Sequence, residues 1–187
     1  MLAPEGVQRV PGILADCGVR FVIVEHVPAS RIDGVCFWLA GNPRTPVIGM
    51  SLRRDKIDNF WFVLRHEIEH VLNKDGRDEA MVDVDAGVVE SPDQSNEERL
   101  ANHAAADFCV PDGEMTNFIL RNNPLYFEEK VLNFAQRMHV HPGLVVGQIQ
   151  KRTGRWNLFH GYLEKVRDLV TPVAMTDGYG QIIPLKP

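Results

Sequence analysis

No uncharged apolar run in this 187-residue chain approaches the ~20 residues a membrane span requires, so no transmembrane helix is expected. The first residues, Met1-Leu2-Ala3-Pro4-Glu5, lack the basic start and apolar stretch of a secretory leader. Cysteine is scarce: Cys17, Cys36 and Cys109 are odd in number, scattered, and form no CxxC pair. A disulfide scaffold and a zinc knuckle are therefore not expected, and all three read as small buried hydrophobes in a reducing cytoplasm. Excess basic charge is missing too, since 20 Lys+Arg against 25 Asp+Glu leave a net −5. That argues against a general nucleic-acid coat or a polybasic membrane binder.

What is there suffices for a packed core: 44% of the residues are apolar and 24% charged. Charge divides unevenly. Residues 1–119 carry 11 basic and 20 acidic side chains, and residues 120–170 carry 8 and 4. The contrast suggests two subregions, 1–122 as a core and 123–170 as a helical lobe packed on it, followed by an irregular tail over 171–187. A short helix over 8–17, with Val10, Ile13 and Leu14 on one side, precedes three β-branched stretches near 20–27, 34–39 and 45–52. The tight Gly41–Arg44 connection implies an antiparallel pair. A long helix opening at Asp55 and running to about Asn73 comes next. Seven acidic residues among Gly, Ser and Pro make 75–95 a loop. Ser95 is a plausible cap for a helix ending before Pro111. Further helices are expected over 112–122, 126–138, 142–153 and 157–169. The class is α+β.

His66-Glu67-Ile68-Glu69-His70 matches H-E-x-x-H, of which about 0.02 instances are expected by chance at this composition. Residues four apart share a helix face, so both imidazoles can reach one ion. Glu67 beside the first His then points to the position where water sits on a catalytic zinc, and can take its proton. The 100° step places Ile57, Phe60, Trp61, Leu64, Ile68, Val71 and Leu72 on an arc facing the sheet. His66, His70, Val63 and Glu67 form a second arc, and Asp58, Arg65 and Glu69 a narrow polar third. Three faces imply a helix buried on one side and lining a cleft on another.

A third ligand is needed, and the candidates are Glu97, Glu98 and His103. On the following helix Leu100, Ala101, Ala104, Ala105 and Phe108 make the buried arc. Glu98 lies at its edge beside Asn102 and Cys109, whereas His103 falls on the solvent side. Glu98 is the better ligand, with Asn102 one turn later able to hydrogen-bond it. Spacing alone leaves open that Glu97 and Glu98 are ordinary first-turn carboxylates favoured by the helix dipole.

His66-Glu-Ile-Glu-His70, followed by Glu98-Arg-Leu-Ala-Asn102-His-Ala-Ala-Ala-Asp-Phe-Cys-Val-Pro111, resembles the ImmA/IrrE metallopeptidases, whose second motif is typically E-x-x-A-N-x-F-A-x-x-L-L-x-P. Glu98, Ala101, Asn102, Ala105 and Pro111 match. Ala104 replaces the usual Phe, Phe108-Cys109 replaces Leu-Leu, and Glu69 stands where a small residue is usual. The resemblance spans about 10–155, with its specific motifs in 45–111. It implies Zn2+ held by His66, His70 and Glu98, Glu67 as general base, and a minimal, gluzincin-like zincin with a small, largely antiparallel three-stranded sheet. It also implies a protein substrate of the helix-turn-helix repressor type, cut to control a phage, mobile-element, toxin–antitoxin or stress response.

Two other classes stay in view. One is a regulatory module that keeps the architecture and binds a repressor, toxin or antitoxin partner without cutting it. The other is a DNA-binding protein using the helix–break–helix over 128–154 and Lys130, Arg137, Lys151, Arg152 and Arg155. A lobe that covers the peptidase is the plainer reading of that segment. His139, His141 and His160 read as loop or surface histidines, and Trp156 and Phe159 as core. The stretch Val47–Leu52 offers a candidate edge for a substrate strand.

Overall fold

The computed structural model describes residues 3–85 and 94–178. A short 3-10 turn over Pro4–Arg9 leads into α1 (Val10–Asp16). The strands are β1 (Arg20–Val24), β2 (Ile32–Trp38), β3 (Pro46–Met50), β4 (Met81–Val84) and β5 (Met175–Asp177). The remaining helices are α2 (Ile57–Asn73), α3 (Asn96–Cys109), α4 (Asp112–Asn122), α5 (Glu128–Met138), α6 (Pro142–Thr153) and α7 (Arg167–Val170). None of these helices is long and apolar enough to cross a membrane.

This is a mixed α/β chain, consistent with the α+β expectation, but the sheet is not three-stranded and departs from the minimal zincin. Five strands run in the order β4-β2-β3-β1-β5. β2 pairs antiparallel with β3 as the tight connection requires, and also with β4. β1 is parallel to both β3 and β5, so the sheet is mixed rather than largely antiparallel. β3 sits in the middle, so Val47–Leu52 has no edge to offer a substrate. The outer strands are β4, in the stretch read as a loop, and β5, in the expected tail. Residues 86–93 of that stretch and 179–187 of the tail lie outside the described residues.

One face of the sheet carries Phe21, Ile23, Cys36, Ile48 and Met50, all buried, and α2 lies across it. Ile57, Phe60, Trp61 and Leu64 face this core. Each fully buried side chain of that kind contributes roughly 1.5–3 kcal/mol. Ile13 and Leu72, expected on apolar arcs, are exposed, Leu72 in the last turn of α2. α2 starts at Ile57, two residues later than expected, because the Asp55 carboxylate instead accepts hydrogen bonds from the Val166 and Arg167 backbone N–H, at 2.9 and 2.8 Å. Those bonds cap α7 and tie it to the start of the motif helix.

α6 is deeply enclosed, with Gly143–Val146 and Gln148–Gln150 buried. One hydrophobic core runs from Val7 through α2 to Val145, Ile149 and Val170. Most of α6 is therefore packed against the rest of the protein. The basic residues are also engaged: Arg152 pairs with Asp112 at 2.9 Å, Arg137 with Glu114 at 3.0 Å, and the Lys151 ammonium lies 4.7 Å from the Phe62 ring centroid. The expected helix over 157–169 does not form. Gly154 ends α6 in the left-handed region, and the chain continues as turn, a 3-10 turn at His160–Tyr162 and the short α7. Trp156, expected in the core, is exposed, whereas Phe159 packs on the core. Of the cysteines, Cys36 and Cys109 are buried as expected and Cys17 is exposed.

Candidate metal centre

α2 presents His66, Glu67 and His70 inward with no solvent exposure at all. The helix ends at Lys74 in the left-handed conformation, whose N–H reaches back to the His70 and Val71 carbonyls. This turn swings Asp75 beneath the helix, where its Oδ2 lies 3.0 Å from His70 Nδ1. A carboxylate on Nδ1 fixes the tautomer that leaves Nε2 free to ligate. The two Nε2 atoms, of His66 and His70, face each other at 3.0 Å.

α3 supplies the next group. Ser95 caps it by accepting from the Glu98 N–H at 3.2 Å. Ala101, Ala105 and Cys109 form its buried stripe, and these small side chains let the helix come close to α2. Leu100 and Phe108, expected on the buried arc, are exposed because that stripe is narrow. Glu98 bridges the histidines, with Oε2 3.3 Å from His66 Nε2 and Oε1 3.4 Å from His70 Nε2. Glu97 and His103 point to solvent. Asn102 makes no hydrogen bond to Glu98; its Oδ1 is buried without a partner among the described residues.

A fourth group comes from β4. Asp83 is only 4% exposed, and its Oδ2 lies 2.9 Å from His66 Nε2. One ligand atom from each of His66, His70, Asp83 and Glu98 lies within 4.8 Å of all the others. Zinc bonds of about 2.0–2.1 Å give a tetrahedron with edges of about 3.3 Å. His66 Nε2 lies 3.0 Å from His70 Nε2 and 2.9 Å from Asp83 Oδ2, near such an edge, while Glu98 reaches the two imidazoles with different oxygens, at 3.3 and 3.4 Å. Two imidazoles and two carboxylates are borderline-hard donors of the kind zinc accepts.

The electrostatics also call for a cation. Burial pushes the Glu67 carboxyl well above its ordinary range, and the negative charges of Asp83, Glu98 and Asp33 push it further. Burial alone would lower His66, yet hydrogen bonds and charge from Asp83 and Glu98 outweigh it and lift the imidazole to about 9. His70 is raised likewise: the Glu98 and Asp75 bonds overcome burial. Burial would raise Glu98, but the two histidines hold it well below the carboxylate range. Three carboxylates at one interior point are tolerable only with positive charge between them. Protonated histidines or a divalent ion could each supply it.

Glu67 does not join this group of four. Its side chain runs along the sheet under Gly34, where a β-carbon would overlap Oε1 and sit 2.8 Å from Cδ and 3.0 Å from Val63 Cγ1. Gly34→Ala should therefore displace the Glu67 side chain. We expect a loss of about 1–3 kcal/mol, as for overpacked sites, read by chemical denaturation. Glu69 turns away from the centre: Arg65 pairs with it at 2.6 Å and Asn73 donates to it at 3.4 Å. Glu69→Ala should leave metal content unchanged and shift stability by about 0–1 kcal/mol, checked by elemental analysis and a thermal melt.

Sequence reasoning missed Asp83 and Asp75. Asp83 was legible only as the middle of Met81-Val82-Asp83-Val84, a period-2 run submerged in acidic and turn residues. Asp75 lies five residues after His70, outside helical spacing, and reaches it only through the left-handed turn at Lys74. No protein-family model matches this chain, and no curated protein matches it either.

Proposed function

We propose that the protein is a zinc-dependent endopeptidase, with His66, His70 and Glu98 as metal ligands and Glu67 as the general base. The observation that carries this is the convergence of two imidazole Nε2 atoms and Glu98 at one buried point, with the Glu67 carboxyl beside them. The reading rests on the two motifs and this geometry, not on the minimal zincin architecture. Zinc supplies a Lewis acid that polarises a peptide carbonyl and lowers the pKa of water to about 7. The protein does the rest. Asp75 holds the His70 ring, Gly34 leaves room for the Glu67 side chain, and Glu67 takes a proton from the attacking water and passes it to the leaving amine.

The substrate class comes from the resemblance to ImmA/IrrE peptidases: a helix-turn-helix repressor or antitoxin-type protein, cut to release a phage, mobile-element, toxin–antitoxin or stress programme. A second reading is favoured by one observation. Asp83 completes four protein groups around the site, and four-ligand zinc is ordinarily structural. The protein is then a regulatory module that binds a repressor or toxin partner without cutting it. Wild type and Glu67→Gln, assayed side by side for zinc content and for cleavage of candidate helix-turn-helix repressors, separate the two.

A further inference from the structure

We propose that Asp83 is the fourth protein ligand of this centre, so that the described conformation is a closed and latent one, opened when β4 withdraws its carboxylate. This rests on the metal-site reading above and says how the site is regulated.

The geometry of β4 carries the argument. Alternation along a strand sends successive side chains to opposite faces. In β4 the inward position is taken by Asp83, while Val82 and Val84 point outward and are 48% and 57% exposed. An inward carboxylate between two outward valines is the reverse of a strand that packs by burying apolar surface. What holds Asp83 inside is therefore polar. Its Oδ2 meets His66 Nε2 at 2.9 Å, close to a tetrahedral edge about the same point that His70 and Glu98 address.

The register serves this aim. β4 pairs with β2 through an irregularity at Asp33, with Ile32 opposite Val84 and Gly34 opposite Asp83. Gly34 is thus the neighbour of both Asp83 and Glu67, and puts no side chain between them and the centre. A polar clasp then secures the end of the strand. Asp85 accepts from Arg53 and Arg54 and pairs with Arg31, and Arg53 also grips Asp33 at 2.8 Å. β4 has four residues and lies at the sheet edge. Withdrawing it requires breaking only its pairing with β2 and this clasp, with little apolar surface to expose.

A catalytic zinc keeps one position free of protein groups, and here Asp83 fills it. His66, Glu67 and His70 have no exposed surface, and of the four candidate ligands only Glu98 reaches solvent appreciably, its side chain 21% exposed. Both facts describe a site that admits no peptide until β4 moves.

The test uses the full-length protein loaded with Co2+, whose visible spectrum reports coordination, and azide as a small probe ligand. Wild type should show a four-coordinate spectrum that azide does not change. Asp83→Ala and Asp83→Asn should still take up about one cobalt and should shift spectrally and saturably with azide. Their metal affinity should fall by more than the roughly 10–100-fold typical of losing an outer partner. Asp83→Asn keeps the shape of the side chain and serves if the alanine variant misfolds. A wild-type spectrum that responds to azide as the variants do overturns the inference and leaves the peptidase reading standing. Variants that stay azide-silent at unchanged affinity overturn it as well. If the azide pattern holds but no variant cuts a repressor, the inference stands and the peptidase reading falls. Failure of the wild type to bind cobalt or zinc overturns both.

Discussion

Glu67→Gln should keep its zinc and lose its cleavage. The amide has nearly the volume of the carboxyl, so the space under Gly34 still accommodates it. The four candidate ligands do not include Glu67, so metal content should stay at the wild-type value. What the amide cannot do is accept a proton, and removing a general base typically costs about 10²–10⁴-fold in rate. The substitution also removes a buried carboxyl crowded by Asp83, Glu98 and Asp33, so the variant should be at least as stable as wild type. Cleavage of a helix-turn-helix repressor by gel assay, set against elemental analysis and a thermal melt, reads all three quantities. A variant that cuts at the wild-type rate rules out Glu67 as the base. A variant that has lost its metal makes the rate loss uninformative about proton transfer and puts Glu67 in the coordination shell.

Chelation should produce the second large effect. An ion held between α2, β4 and α3 would bind the native chain and not the unfolded one, and so would stabilise it by mass action. The gain is about 4 kcal/mol when free metal is 1,000 times the dissociation constant. For a chain of this size each kcal/mol moves Tm by about 2–4 °C. Stripping the metal should therefore lower Tm by roughly 8–16 °C, reversed by adding zinc. The stripped protein should also depend on pH in a defined direction. His66 is lifted to about 9 in the folded state, so its stabilising contribution is complete below the unfolded value of about 6.5. It is lost as pH rises through about 9. Glu67, raised above its ordinary carboxyl value, acts in the same direction. Metal-free protein should melt at progressively lower temperature from near neutrality to pH 9, whereas the zinc form should change far less. Equal pH dependence in both forms would show that protons and metal do not compete for these side chains.

The parts of this molecule that were legible in the sequence are those where local pattern and tertiary role agree. α2 has an apolar arc and H-E-x-x-H in one frame, and Ser95 caps α3 as its side chain suggests. β2 and β3 pair antiparallel because the connection between them is tight. Legibility fails where a distant partner decides. β5 forms only because β1 offers an edge, and β1 lies more than 150 residues earlier in the chain. Asp55 looks like a helix start but spends its carboxylate on α7. Trp156 looks like core, yet it comes after the turn at Gly154 and ends outside. At the centre, helical spacing brings out His66, Glu67 and His70, and position on the next helix favours Glu98. Asp83 belongs to a strand whose pairing with β2 no local signal announces.

The outward valines of β4 give that strand a competing preference. Sliding it by one residue along β2 would exchange its faces, turning Val82 and Val84 toward the interior and Asp83 toward water. Hydrophobicity therefore pulls β4 toward one register and ionic chemistry toward the other. The strand is a frustrated element in the energy-landscape sense, set against its own apolar pattern by the charge it serves. Neutralising the carboxylate would shift the balance toward the second register, and a bound cation would shift it back. Occupancy of the centre and pairing of the sheet edge would then be two readings of one equilibrium.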